Sequence, residues 1–350
     1  MDKSRFFGFK LNPQAQRRVR AFSSNKRAFI SSYVFVTVFI ISLFAEFIAN
    51  DKPIIIKMND QFYFPVFKHY TETEFGGLFD LEPDYHDPYI QDYIQENNGW
   101  MLWPVIPFKF NTVDYYIDIP APSPPSSRHW LGTDDGARDV FSNIIYGFRI
   151  SVIFGLFLTI FSSVIGVAAG AVQGYFGGKI DITFQRIIEL WVSIPLLYLI
   201  IIITAIIKPT FFLLLIILLL FRWTALVGVV RAEFLRVRNF EFVKAARALG
   251  ARDGLIMFRH ILPNAMVATL TFLPFILNGS IAALTSLDFL GLGLPAGYPS
   301  LGKLLAQGKA NLHAPWLGIT SFIVLAIMLS LLIFIGEGVR DAFDPRRDLA

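Results

Sequence analysis

The sequence predicts an all-α integral membrane protein with six transmembrane helices, an insert of mixed structure between helices 1 and 2, and a helical loop between two later spans. Three observations lead to this fold class. Hydrophobic residues make up 54% of the 350 residues, and 36 residues are phenylalanine, a composition typical of membrane chains. Six separate apolar runs each have about the length that crosses a bilayer. The charges that flank these runs are distributed unevenly, which assigns each loop to one side.

The overall composition excludes several kinds of site. The chain has no cysteine, which excludes disulfides, thiol catalysis and cysteine-based metal sites. Its five histidines are scattered without the spacing of metal ligands, so no metal site is expected. The formal net charge is +4, and the basic residues lie beside apolar spans, so no nucleic acid partner is expected.

Residues 1–28 are predicted to form a cytoplasmic N-terminal tail, because residues 1–27 carry eight Lys or Arg and one acid. The apolar run 29–48 follows as the first transmembrane helix, in contact with the lipid bilayer. It is longer than the apolar region of most signal peptides and ends in a poor cleavage site, which predicts an uncleaved anchor. Glu46, near the outer end, is expected to reach headgroups or water.

Residues 49–145, called the insert below, differ in character from the spans. Residues 50–145 carry fifteen acids and six bases among many turn-forming residues, which predicts a small soluble subdomain. Short alternating runs predict strands near 54–57 and 61–67, and residues 120–127 form an extended linker back to the membrane. No catalytic motif is evident there. A binding surface and a simple spacer both remain open.

Residues 146–340 are predicted to form a core of five further helices. The five apolar runs lie at about 150–173, 187–207, 211–230, 264–287 and 316–336. With the basic N-terminus inside, the insert lies outside and residues 231–263, with seven bases and three acids, return inside. An even number of spans also places the tail, residues 341–350, in the cytoplasm.

Small residues recur every four positions in the second span, on one helix face that a neighbouring helix can approach closely. These residues are Ser162, Gly166, Gly170 and Gly174. The stripe predicts helix packing, with a weaker indication of a subunit contact or pathway.

Three polar or helix-breaking residues interrupt the third and fourth spans. Pro195 is expected to kink the third span. Glu189 is expected to form an ion pair with Arg186 near the membrane interface. Arg222 lies within the fourth span, where it either extends to the interface or faces a translocation cavity.

The stretch from Lys244 to Asn264 is a polar, Arg-rich loop between two apolar spans. Asn239 is predicted to cap a helix that Gly250 ends. Asp253 is predicted to cap a second short helix, and Pro263 marks the start of the next segment. Small residues flanked by charge suit docking of a partner protein. The predicted docking residues are Phe240, Glu241, Lys244, Ala245, Ala246, Leu249, Gly250, Arg252 and Asp253.

The same loop carries a family resemblance. Ala245, Ala246 and Gly250, followed after eleven residues by Leu262-Pro263, resemble the EAA loop of permease subunits in ATP-driven bacterial importers. Lys244 stands at the acidic position of that motif and His260 at a usually aliphatic one. Oligopeptide-type members of the family show the same variation.

Further stretches narrow the resemblance to the C-type subunit of dipeptide and oligopeptide importers, over about residues 128–347. They are Trp130 to Asp134 with Arg138-Asp139, Tyr146 to Ser151, Phe289 to Gly293, and Gly336 to Pro345. Ala137 stands where the family has glycine, which predicts a different turn. The long insert before Trp130 is most similar to that of the microcin C or Yej-type peptide permeases.

The resemblance implies an ABC importer permease subunit of the bacterial inner membrane, which forms half of a pathway for peptides or peptide-like compounds by alternating access. The implied partners are a second permease subunit in a heterodimer, two ATPase domains, a periplasmic substrate-binding protein and the peptide. Residues 240–263 correspond to the coupling loop, and the insert is periplasmic. No catalytic residue or cofactor is implied in this chain, because ATP and Mg²⁺ belong to the partner subunits.

Two alternative functions are less favoured. A membrane enzyme requires paired catalytic groups within the spans, whereas the sequence offers only isolated Glu189 and Arg222. Gly297 to Lys303 has the glycine spacing of a phosphate-binding loop, but Leu304 replaces the required Ser or Thr and no strand precedes it. A passive channel or receptor would not need the coupling loop.

Overall fold

A computed structural model describes residues 5–6, 9–10, 13–117 and 119–344 of the chain. The remaining residues, which include parts of both predicted tails, lie outside this description. The described helices are α1 (Pro13–Ser24), α2 (Lys26–Leu43), α3 (Ala45–Ile48), α4 (Pro88–Glu96), α5 (Val140–Phe176), α6 (Gly178–Val192), α7 (Leu196–Ile206), α8 (Phe211–Arg222), α9 (Thr224–Val237), α10 (Glu241–Ala248), α11 (Asp253–Leu255), α12 (Leu262–Phe289), α13 (Leu301–Ala310) and α14 (Pro315–Phe343). The strands are β1 (Arg5–Phe6), β2 (Phe9–Lys10), β3 (Ile55–Met58), β4 (Gln61–Tyr63) and β5 (Trp100–Leu102).

Six apolar segments of the described chain are long enough to span a bilayer when one bent helix pair counts as a single span. The five unbroken segments are Lys26–Leu43, Val140–Phe176, Phe211–Val237, Asp253–Phe289 and Pro315–Phe343. The sixth consists of α6 and α7, which meet at 61°. Pro195 lies at this break and has no backbone N–H to continue the helix. The predicted all-α membrane fold is therefore confirmed.

Helix α5 lies at the centre of the bundle and contacts α2, α8, α9 and α12. Its glycine stripe lies directly on the backbone of α9. A Cβ atom at Gly170 would lie 2.8 Å from the carbonyl oxygen of Val227, and one at Gly174 would lie 2.5 Å from that of Arg231. Side chains at these positions would therefore push the two helices apart.

The insert has its own small core. Strand β3 pairs with both β4 and β5 to form an antiparallel sheet. The buried side chains of Ile56, Phe75 and Ile94 join this sheet to α4. Strands β3 and β4 match the two predicted strands to within a few residues, whereas α4 and β5 were not predicted from the sequence.

A buried histidine fastens the insert to α5. Nδ1 of His129 lies 2.9 Å from Oδ2 of Asp139, and Nε2 lies 3.0 Å from Oδ2 of Asp114. The Asp139 carboxylate also accepts a 2.7 Å hydrogen bond from the backbone N–H of Ser142 and so caps α5. This cap starts the helix at Val140, ten residues before the predicted span.

A second contact joins α3 to α5. Both Nη atoms of Arg149 lie 2.9 Å from Oε1 of Glu46. The Glu46 side chain, which was expected to reach headgroups or water, is 39% exposed and also forms this ion pair with a residue 103 positions away in the sequence. Such bidentate geometry fixes the end of the first span against α5.

The turn that precedes α5 keeps a conformation that glycine favours. Ala137 has a φ of 57°, and its carbonyl accepts a 2.9 Å hydrogen bond from the N–H of Asp114. The surrounding hydrogen bonds hold alanine in the left-handed region, a conformation that glycine adopts without cost.

Helix α13 and the loop before it cover the end of the bundle at which the insert meets α5. Asp288, at the end of α12, accepts hydrogen bonds of 2.6 Å from the Ser300 hydroxyl and 2.7 Å from the Leu294 N–H. Ser300 in turn caps α13. Helix α13 was not predicted from the sequence. Within Gly297 to Lys303, Ser300 and Lys303 contact protein groups.

At the opposite end of the bundle, α1 and the start of α2 pack against the end of α14. The guanidinium carbon of Arg18 lies 4.4 Å from the centre of the Phe343 ring. Gly338 leaves no room for a side chain beside Ala28. The described parts of both chain ends therefore lie on one side of the bundle.

Candidate functional site

The coupling loop presents apolar side chains outside the apolar spans. Leu249 is 88% exposed, and Phe240 and Phe242 are each 43% exposed. Lys244 and Ala245 are also exposed, and Lys244 forms a 2.9 Å ion pair with Glu241 on the same helix. Exposed apolar groups grouped on a polar loop are typical of a protein contact surface.

The opposite side of α10 is fixed to the bundle. Val243 is fully buried and packs in one cluster with Phe234 of α9 and with Ile256 and Ile261 beyond α11. Helix α10 therefore has one anchored side and one open side.

The start of α10 differs from the prediction. Phe240, and not Asn239, occupies the cap position, and its side chain makes no capping hydrogen bond. The side-chain amide of Asn239 instead donates to the Leu235 carbonyl at 3.1 Å. Helix α9 continues to Val237, so Asn239 completes that helix and cannot cap the next one.

Gly250 ends α10 in a left-handed conformation, with a φ of 79°. The N–H of Gly250 donates to the Arg247 carbonyl at 3.0 Å, and the N–H of Ala251 donates to the Ala246 carbonyl at 3.1 Å. These two bonds form the Schellman pattern that satisfies the last carbonyls of a helix. The turn fixes the direction in which the chain leaves α10.

Beyond this turn, the loop continues into a membrane span without a break. Arg252 occupies the cap position that was predicted for Asp253, and Asp253 is the first residue of α11. A π-helical turn, Ile256–Ile261, then leads directly into α12, where Pro263 lies in the first turn. The predicted separate second helix was wrong, because proline is tolerated where its missing N–H needs no partner.

Tyr175, near the end of α5, joins the two halves of the coupling loop. Its hydroxyl donates a hydrogen bond to the Asp253 carboxylate. Nη2 of Arg247, on α10, lies 3.3 Å from the same hydroxyl oxygen. The Tyr175 hydroxyl therefore connects both halves of the loop to α5.

Two arginines connect this region to further helices. Arg238 donates to the carbonyls of Gly174 and Tyr175, at 3.3 and 3.1 Å, and so satisfies the end of α5. Nη2 of Arg231, on α9, lies 2.6 Å from Oδ2 of Asp181 at the start of α6. The sequence reading assigned neither Arg238 nor the Asp181 pair a role, because each partner lies at least 50 positions away.

The remaining predicted residues lie apart from the coupling loop. Arg186 and Glu189 form the predicted ion pair at 2.5 Å on the surface of α6. Arg222 donates to the carbonyl of Gly279, in α12, at 2.9 Å. This bond places Arg222, the last residue of α8, at a contact between two spans.

The site provides an exposed surface for protein contact and polar links between helices. Among the described residues, no group of three or more His, Cys, Asp or Glu side chains could hold a metal ion. The charged groups of the coupling loop region instead join helices α5, α6, α9, α10 and α12 into one connected network.

Known proteins similar to this chain fall into one group. A family described as binding-protein-dependent transport system inner membrane component matches residues 162–349. The inner membrane ABC transporter permease protein YejE of Escherichia coli (strain K12) is 56% identical over 338 residues, covering 97% of this chain and 99% of that protein.

Two further relatives show how far the similarity extends. The peptidoglycan transport system permease protein YejE of Agrobacterium fabrum (strain C58 / ATCC 33970) is 55% identical over 360 residues, covering 96% of this chain and 94% of that protein. The dipeptide transport system permease protein DppC of Alkalihalophilus pseudofirmus (strain ATCC BAA-2126 / JCM 17055 / OF4) is 36% identical over 225 residues, covering 63% of this chain and 73% of that protein. The two YejE proteins match nearly the whole chain, so their similarity extends through the insert.

Proposed function

Because the chain belongs to the binding-protein-dependent transport system inner membrane components, we propose that it forms half of the translocation pathway of an importer and moves peptides by alternating access. Membership makes it a multi-pass inner membrane permease subunit of an ABC transporter, with ATP hydrolysis in partner subunits. The family resemblance of the coupling loop and the Yej-type resemblance of the whole chain are thereby confirmed.

The observation that carries the proposal is the attachment of α10. Its exposed side carries Leu249 and Ala245, while Tyr175 joins the loop to α5 and the π-helical turn joins it to α12. An ATPase that binds the exposed side and moves on binding ATP therefore displaces two spans together. To convert a mostly inward population into a mostly outward one, the ATP-bound partners must favour the outward state by about 5.5 kcal/mol.

The proposed assembly contains a second permease subunit in a heterodimer, two ATPase domains that bind ATP and Mg²⁺, and a periplasmic binding protein. The family description supports ATPase subunits and a binding protein in general. The proposed substrates are peptides or peptide-like compounds, including those of the microcin C type. Support comes from the relatives, whose names specify peptidoglycan and dipeptide transport.

The proposed topology places both termini and the coupling loop in the cytoplasm and the insert in the periplasm. The distribution of basic residues supports it. The packing of α1 and α2 against the end of α14 agrees with termini on one side. In this arrangement, the insert contacts the binding protein or the rim of the second permease subunit.

Two substitutions test the coupling loop by separating docking from transmission. Ala245→Trp places a large group on the exposed side of α10, so less ATPase should co-purify at unchanged membrane abundance. Tyr175→Phe removes the hydroxyl that bonds Asp253 and Arg247, so the ATPase should still bind while peptide uptake per ATP hydrolysed falls.

Matched controls make the test specific. Ala310→Trp adds the same bulk at an exposed position of α13, and Tyr198→Phe removes an exposed hydroxyl on α7. Both should behave as the wild type. Ala245→Trp and Tyr175→Phe could also keep wild-type ATPase recovery and uptake. In that case the loop does not couple ATP hydrolysis to transport, and a passive channel or receptor becomes the better explanation.

A further inference from the structure

An apolar groove lies between α1, α2 and the end of α14. Its volume is about 740 Å³. Its walls include Phe22 of α1, Phe29, Val36 and Ile40 of α2, and Phe343 of α14, with Arg18 also on the lining. The groove therefore has an apolar body and a cationic group contributed by α1.

The groove has the length of one acyl chain. Phe29 and Ile40 are eleven residues apart on α2, which corresponds to about 16 Å along a helix axis. One leaflet of a bilayer contributes about 15 Å of hydrocarbon. Phe29, Val36 and Ile40 are all about half exposed, and α2 is a membrane span. The groove therefore opens toward lipid over the depth of one leaflet.

Helix α1 has the character of a helix at a membrane surface. None of its residues is fully buried by the protein. Ala15, Val19 and Phe22 share the face that lines the groove, where Val19 is 43% exposed and the other two are partly buried. An apolar helix face that the protein leaves uncovered is stable at the boundary between headgroups and acyl chains. Its attachment to α14 then holds it beside the start of α2.

The charge around the groove favours an anion. Residues 17–27 contain Arg17, Arg18, Arg20, Lys26 and Arg27 and no acid. Within the described part of the chain, Arg18 forms no ion pair, and its guanidinium lies against the Phe343 ring. Arg18 also borders an adjoining polar cleft that it shares with Arg17, Asp341 and Asp344, but neither aspartate lines the groove itself.

We propose that this groove binds one anionic phospholipid, with an acyl chain along α2 and the phosphate beside Arg18. The proposal depends on the membrane-spanning fold and is independent of what the protein transports. Bound lipid anchors α1 on the bilayer and covers the apolar face that the protein leaves open. In the proposed topology, this lipid belongs to the cytoplasmic leaflet, whose surface is negatively charged.

The test measures the lipid that stays with the full-length permease complex after reconstitution in nanodiscs of phosphatidylglycerol and phosphatidylethanolamine in a 1:3 ratio. Complexes are extracted in mild detergent, and bound lipid per chain is counted by native mass spectrometry. The wild type should retain phosphatidylglycerol in preference to phosphatidylethanolamine. Arg18→Gln should lower phosphatidylglycerol occupancy about fivefold, since one cation near an anionic surface contributes about that factor.

A second pair of variants tests the apolar body of the groove. Val36→Trp fills it and should also lower phosphatidylglycerol retention. Val38→Trp is the matched control, because Val38 is 40% exposed on α2 but does not line the groove. Arg20→Gln is the control for charge, because Arg20 lies on α1 and also does not line it. Both controls should retain lipid within twofold of the wild type.

Three results would overturn the proposal. Equal loss in Arg18→Gln and Arg20→Gln would show general surface attraction and no site. Full retention in Val36→Trp would show that the groove holds no acyl chain. Equal retention of both lipids by the wild type would show that Arg18 does not select an anion. Since transport is not the readout, these outcomes leave the proposed importer function unaffected.

Discussion

At the residue scale, Gly250 shows how one backbone conformation directs a whole segment. Its φ of 79° is accessible to glycine without steric cost. A Cβ atom built there would lie more than 4 Å from any neighbouring atom. Glycine is therefore favoured because of the left-handed backbone conformation and not because a side chain would clash. The residue therefore determines the angle between α10 and α11.

We predict that Gly250→Val strains this turn by about 1–2 kcal/mol, because a branched residue is disfavoured in the left-handed region. The end of α10 should move, so uptake and substrate-stimulated ATP hydrolysis should fall while membrane abundance stays unchanged. Gly250→Asn is the matched control, because asparagine tolerates this conformation. Equal effects of Val and Asn would show that backbone conformation is not the cause.

His129 gives a prediction about pH at the same scale. Burial alone would lower the pKa of His129, but hydrogen bonds to the Asp139 and Asp114 carboxylates outweigh burial and leave the pKa raised. Both ring nitrogens can donate only when the imidazole is protonated. Arg128 also lies on Asp114, with 2.9 Å between Nε and Oδ2, so the cluster contains two cations and two carboxylates.

A pKa that is raised in the folded state stabilises the fold fully below the unfolded pKa of about 6.5, and this stabilisation is lost as pH rises through the folded value. We therefore expect the joint between the insert and α5 to loosen as the pH rises from about 6.5 through the raised pKa of His129. His129→Ala should remove that pH dependence and destabilise the joint by about 3–5 kcal/mol, since it leaves the buried Asp139 carboxylate without its cationic partner while Arg128 still pairs with Asp114. Limited proteolysis of the insert across pH 5–9 measures both effects, and an unchanged profile in the variant would contradict this role.

At the scale of elements, the insert has two parts. One is the subdomain built on strands β3 to β5, residues 55–102, and the other is the joint at which Asp114, His129 and Asp139 attach the insert to α5. The N–H of Ile54 donates to the Leu102 carbonyl at 2.8 Å, so the chain enters and leaves the β3–β5 subdomain at neighbouring points. The joint, with Asp114, His129 and Asp139, lies beyond that subdomain in the sequence. The two parts meet where His86 of the subdomain stacks on Phe108, which in turn packs on His129.

We predict that replacing residues 55–102 with a short Gly-Ser linker leaves membrane insertion and ATPase association intact but weakens uptake. The reason is that the deletion removes surface proposed to contact the binding protein or the second permease subunit and spares the joint. Uptake measured across binding-protein concentrations should show a higher half-saturating concentration. Unchanged uptake would favour the spacer interpretation of the insert.

At the scale of the whole molecule, α5 connects the two ends of the protein. It contains 37 residues, which corresponds to about 55 Å of helix. Its first turn is capped by Asp139 at the joint with the insert, and Tyr175 near its last turn holds the coupling loop. Movement of the coupling loop can therefore reach the insert through one continuous helix.

The proposed topology gives a prediction at this scale. A reporter enzyme that is active only outside the cytoplasm should be active when fused near residue 100. It should be silent when fused near residue 245 or after residue 350, because those positions are predicted to be cytoplasmic. A cytoplasm-specific reporter at the same positions provides the matched control, and the reversed pattern would reject the topology.

The sequence by itself determined the features that depend on local pattern. Apolar run length predicted the spans, Pro195 predicted the break between α6 and α7, and the position of Gly250 predicted the end of α10. Motif spacing identified the family and predicted the coupling loop. These signals lie within a few residues of each other, so they can be read without knowing which distant segments meet.

Only the tertiary structure decided which distant residues act together. Tyr175 bonds Asp253 across 78 positions, and Arg149 pairs with Glu46 across 103. Tertiary context also overrode local preference: hydrogen bonds hold Ala137 in a glycine-like turn, and the first turn of α12 accommodates Pro263. Local pattern determines which segments enter the membrane because burying apolar length in lipid is a local free energy. The contacts that connect the coupling loop to the spans depend on how those segments pack, which no single segment contains.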